Sequence, residues 1–222
     1  MSIEIGGSRP LTADERLIEM ISSEIRIARE MIKNIAMIIN QMGEGSKESL
    51  SSLLNDIRGG KRSVEGMQRE YLDYFSRIAP SLYTLEEWMN VFAKIEGAVD
   101  KLGGVAYRLD YLVSKPWGLP EEVRNVLVEL ANGLMDITSR FTNLALAVTS
   151  NPDAVFKIWR EIAQAEAQID NIYRKATFTI LDAPLSTQFT ILLLSISEML
   201  EDVADLINSA SDDLYLIVIS SR

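Results

Sequence analysis

TADERLIEMISSEIRIAREMIKNIAMIINQM, residues 12–42, decides the fold. Its apolar residues Ile18, Ile21, Ile25, Ala28, Ile32, Ile35 and Ile39 step by three and four from end to end. That spacing draws one continuous stripe down a single helix and fits no strand, whose period is two. Thr12 and Glu15 have the spacing of a capping box, and Gly43 and Gly45 mark the end of the segment.

Five more stretches repeat the pattern. A second helix is expected over residues 46–79, opened by Ser46 and stopped by Pro80, with a weak spot at Gly59-Gly60. The third starts at a Thr84/Glu87 capping box and ends at Lys115-Pro116-Trp117-Gly118. The fourth opens with Pro120 in its first turn, and the fifth with Asn151 as cap and Pro152 as first helical residue. The sixth follows Pro184 and Ser186 and runs almost to Arg222. Helices of about thirty residues suit elongated antiparallel bundles.

The two halves align without gaps at an offset of 105. Ile18, Ile21, Ile25, Ile32 and Ile39 fall on Val123, Val126, Leu130, Ile137 and Leu144. Ile57, Val64, Met67 and Arg69 fall on Ile162, Ile169, Ile172 and Arg174, and Val91, Ile95 and Leu109 on Ile196, Leu200 and Leu214. Any two amphipathic helices can be slid into some match, but one offset that serves three helix pairs and their breaks implies duplication. The expected architecture is all-α: six long antiparallel helices forming two repeated three-helix bundles. The repeats cover residues 1–115 and 116–222 within one structural domain.

Composition narrows function. The 222 residues carry a formal net charge of −10 and no basic stripe, so nucleic acid is not an expected partner. There is no Cys and no His, which removes thiolate nucleophiles, Ser-His-Asp triads and Cys/His zinc sites. No apolar run approaches the ~20 residues that span a bilayer. Met1 to Pro10 has neither the basic start nor the apolar core of a signal peptide. The expectation is a cytoplasmic protein, peripheral at the inner face of the membrane if a partner holds it there.

The offset also pairs carboxylates. Glu96-x-x-x-Asp100 falls on Glu201-x-x-x-Asp205, and the fifth helix adds Glu166-x-x-x-Asp170 between Ile162 and Ile169. Asp202 supplies a further acid. Residues four apart share a helix face, and like charges there cost roughly 0.2–0.5 kcal/mol per pair when exposed. Facing helices that repeat this cost suggest a hard cation of the magnesium, manganese or iron class, which accepts all-oxygen coordination. The bland reading is a solvated acidic face. The first repeat is less acidic: Lys61 and Glu65 stand where the second has Glu166 and Asp170, and Gly97 matches Asp202. Lys61 would place an ammonium where a cation binds.

Three stretches, Glu166-Ala-Gln-Ile-Asp-Asn-Ile-Tyr-Arg174, Leu200-Glu-Asp-Val-Ala-Asp-Leu-Ile207 and Ile95-Glu-Gly-Ala-Val-Asp100, resemble those of PhoU-like proteins. The resemblance is particularly to the branch that accompanies Pit-type phosphate transporters. The turns Pro80-Ser-Leu-Tyr-Thr and Pro184-Leu-Ser-Thr fit the family's short loops. The resemblance implies two three-helix units with metal-binding E/D-x-x-x-D motifs on the bundle surface. Carried over by position, it makes Glu166, Asp170, Glu201 and Asp205 ligands with Asp202 as auxiliary. Glu65, Glu96 and Asp100 become a weaker second site. It further implies a non-enzymatic regulator of phosphate uptake that contacts a transporter or sensor protein and forms a homo-oligomer. Two alternatives stand beside it: a structural helical adaptor, and a carboxylate-bridged metal-dependent hydrolase.

The remaining features read as structure. Trp88, Trp117 and Trp159 suit core or bundle-end packing, Gly103-Gly104 suits close helix approach, and the nine methionines suit core filling. Gly59-Gly60-Lys61 lacks the spacing and preceding strand of a phosphate loop.

Overall fold

The computed structural model describes residues 12–220. Among them lie six long helices and no strand: α1 (Ala13–Gln41), α2 (Lys47–Ile78), α3 (Leu85–Val113), α4 (Glu121–Ser150), α5 (Pro152–Asp182) and α6 (Thr187–Ser220). A short 3-10 turn, Ala79–Ser81, follows α2 at Pro80. The first eleven residues and the expected end near Arg222 fall outside the described residues.

Side-chain caps open three of the six helices. Thr12 accepts from the Glu15 amide while the Glu15 carboxylate accepts from the Thr12 amide at 2.7 Å, so the capping box is complete. Ser46 Oγ accepts from the Ser49 amide, and Ser186 Oγ from the Phe189 amide. Two expected caps differ. Thr84 precedes α3 and Asn151 precedes α5, but neither side chain makes a capping bond. Thr84 is buried, and the Ala154 amide at the third position of α5 is taken by the Asn151 carbonyl at 3.0 Å. Gly43 ends the first helix region with φ +91°, a left-handed conformation open to glycine.

Shifted by 105 positions, α1 and α3 overlap α4 and α6 with limits displaced by two to four residues, and α2 matches α5 more closely. Lys47–Ile78 moved by 105 positions covers 152–183, and α5 occupies 152–182. Within each unit consecutive helices reverse direction, and the units join through α1 on α4 and α3 on α6, the latter being the broadest contact. One apolar core runs through both, from Ile18, Ile25 and Ile32 to Leu130, Ile137, Leu200 and Leu214. Each such side chain, fully buried, contributes roughly 1.5–3 kcal/mol.

Glycines permit the α3–α6 approach. A Cβ at Gly104 would stand 2.2 Å from Met199 Cε, and one at Gly97 would touch Leu206 Cδ1. At Gly103 the neighbour is Lys61 Cδ at 2.8 Å. The Gly59-Gly60 pair does not interrupt α2. Gly60 lies against Ile27 and Met31 of α1, whereas Gly59 faces open space.

Candidate metal centre

α5 and α6 run antiparallel, and the four-residue spacing on each sets their acids in two facing rungs. Glu166 faces Asp205 and Asp170 faces Glu201, one helical turn apart, near enough that the charges of each pair act on one another. Apolar neighbours hold the rungs half out of water: Ala165 and Ile169 on α5, Leu200 and Ala204 on α6. Burial, followed by the surrounding negative charge, therefore raises the carboxyls of Glu166 and Asp205 above their ordinary values. The same causes push Glu201 up to about 7, with Asp205, Asp170 and Asp202 all contributing. Such rungs crowd like charges at partly desolvated positions, which a cation would relieve.

Two basic groups temper the cluster. Arg174 Nη2 binds Asp170 from one turn along α5. Lys101 of α3 meets Asp202 at 2.6 Å, which ties that acid to the unit interface rather than to the rungs. Among the described residues no three acids close on one point in the arrangement a metal ion takes.

The first unit repeats the register with different chemistry. Lys61 of α2 stands opposite Asp100 of α3, its Nζ 2.9 Å from Asp100 Oδ1 and 3.8 Å from Glu65 Oε1. The hydrogen bond to Asp100 is the main reason the ammonium holds its proton more tightly than usual. Glu96 turns to other partners, accepting from Gln68 Nε2 at 2.8 Å and Tyr71 Oη at 3.3 Å. Burial, then the Glu96 charge, pushes the Tyr71 phenol up to about 12. Glu65, Glu96 and Asp100 are thus divided among protein donors.

Sequence reasoning missed Glu24. It sits in α1 inside the apolar stripe, 1% exposed, with Oε2 lacking any hydrogen-bond partner. Burial, then the charge of Glu96, pushes its carboxyl up to about 8. The signal was present: an acid three residues after Ile21 and directly before Ile25 occupies a core position.

No protein-family model and no curated protein matches the sequence. Solved structures share the architecture. PhoU from Pseudomonas aeruginosa superposes with a TM-score of 0.70 at 14% identity, over 92% of this chain and 98% of its own. A PhoU-like protein from Shewanella oneidensis MR-1 reaches 0.76 at 11% identity, over 92% and 99%. The fold is PhoU-like. A further structure from that organism, described as a PhoU-like phosphate regulatory protein, gives 0.75 at 12% identity over the same shares. At these identities the likeness is one of backbone architecture. No helix among the described residues is long and apolar enough to cross a membrane.

Proposed function

We propose that this chain is a PhoU-like regulator of phosphate transport that loads a hard cation on the α5–α6 rungs and acts by contacting a transporter or sensor protein. The PhoU-like backbone supports the regulatory part. The single observation behind the cation is the facing pair of rungs, Glu166 with Asp205 and Asp170 with Glu201. Four oxygen donors lie on two rigid helices, and their repulsion would be relieved by positive charge. An iron, manganese or magnesium ion would offset the crowded negative charge, and Arg174 would release Asp170 to complete the ligand set. Asp202 flanks this set, and Glu65, Glu96 and Asp100 form a lesser site blocked by Lys61. The partner is a permease of the Pit type, approached at the inner face of the membrane by a homo-oligomer.

The test is metal analysis of untagged protein by plasma mass spectrometry, with melting curves in EDTA and in added Mn²⁺, Fe²⁺ or Mg²⁺. Bound metal and a rise in melting temperature, both lost in Glu166→Gln/Glu201→Gln, are expected. A second reading, a helical adaptor whose acids only solvate it, is favoured by the absence of three convergent acids among the described residues. It predicts no metal, no shift, and a double variant more stable than the parent at pH 8.

A further inference from the structure

A second polarised feature lies on the α3–α6 seam, away from the rungs. Tyr107 is 75% exposed, Tyr111 47% and Ile191 59%, and they rim a groove of about 390 Å³ that Arg108, Gln188 and Leu192 also line. Arg108 is half-buried there. Its Nε donates to Ser195 Oγ at 2.8 Å and its Nη1 to the Gly104 carbonyl at 3.0 Å, which fixes the guanidinium plane. No carboxylate pairs with it among the described residues.

The duplication supplies an internal comparison. At the offset of 105, Arg108 corresponds to Asp213, and Met199 to Lys94. At the far end of the seam those counterparts neutralise each other, with Lys94 Nζ 2.6 Å from Asp213 Oδ2. At the near end Met199 leans over Gly104 where a counter-charge would be, and Arg108 is left with neutral acceptors only. Asp110, two residues on, is already taken by Arg58 at 2.6 Å. Lys115 adds a second cation, its Nζ 4.5 Å from the Tyr111 ring centroid. In a chain of net charge −10 this is a local reversal of sign framed by tyrosines.

A half-desolvated guanidinium without a counter-charge is costly, and its fixed fork matches an incoming carboxylate. Exposed aromatics beside an arginine are the common anchors of protein interfaces, and the cleft between two helices accepts a third. We propose that this groove docks an amphipathic helix of a partner protein, with aliphatic side chains on Tyr107, Tyr111 and Ile191 and one acidic side chain on Arg108. The docking needs no metal, so it stands or falls separately from the cation reading.

The experiment uses the full chain in EDTA and capped, fluorescently labelled helical peptides of about four turns. Each carries a leucine stripe bordered by one Glu, or by Gln or Lys in its place, and binding is read by anisotropy. The Glu peptide should bind about tenfold more tightly than the Gln peptide, and the Lys peptide more weakly still. Arg108→Gln, checked for unchanged melting, should erase that ranking, while Tyr107→Ser weakens all three without reordering them. Equal binding of the three peptides, or binding by none, would overturn the proposal. So would phosphatidylglycerol vesicles binding the parent and not Arg108→Gln, which would make the groove a lipid site.

Discussion

Glu24 is the residue whose chemistry most departs from its surroundings. Its carboxyl is raised from 4.5 to about 8, so the folded chain keeps a proton that the unfolded chain has lost. Stability is therefore full below pH 4.5 and declines as pH rises through 8, by at most ~1.4 kcal/mol per pH unit. Glu24→Gln keeps the volume and removes the titration. It is expected to melt above the parent at pH 9 and level with it at pH 4 by circular dichroism. Equal differences at both pH values would show that charge is not the cause. This residue escaped the sequence reading because a search for apolar steps passes over a polar interruption. The acids at 166, 170, 201 and 205 were legible because spacing of four fixes a shared face whatever the tertiary structure. Lys101 on Asp202 was not, since that contact depends on how α3 meets α6.

At the scale of single helices, turn residues and stripes placed all six segments, and the misreadings concern what the ends and glycines do. Thr84 and Asn151 have capping identities without capping bonds, because residue type does not fix the entry angle of the chain. Gly59 and Gly60 look alike in sequence, yet only Gly60 meets a neighbouring helix. Alanine at Gly59 should stabilise by roughly 0.5–1 kcal/mol, because helix propensity rises and nothing is displaced. Alanine at Gly133 of α4 should do the opposite. Its Cβ would stand 2.9 Å from Cγ1 of Ile169, a buried β-branched side chain on α5 with little freedom to move. Overpacking of that kind costs about 1–3 kcal/mol, and urea midpoints of the two variants on either side of the parent would establish the contrast. Midpoints moving the same way would refute it.

For the molecule as a whole, the six-helix all-α architecture was readable because each apolar stripe and its turn residues mark one long helix. The seams joining the units were not readable, because an apolar stripe says which face is buried without saying against which helix. α6 illustrates this: Ser197, Ser211 and Asp213 are buried in it because α3, α4 and α5 all cover it. The halves also differ where they correspond most closely, with Lys61 against Glu166. In the α2–α3 seam an ammonium attracts its neighbours, and in the α5–α6 seam carboxylates repel theirs. Raising ionic strength screens both, which loosens the first and tightens the second. Amide exchange in EDTA between low and high sodium chloride should therefore quicken around residues 61–65 and 96–100 and slow around 166–170 and 201–205. Responses of one sign in both places would contradict this. One lysine thus makes the protein a compensating pair, in which dissolved salt strains one arm as it relaxes the other and global stability shifts less than either.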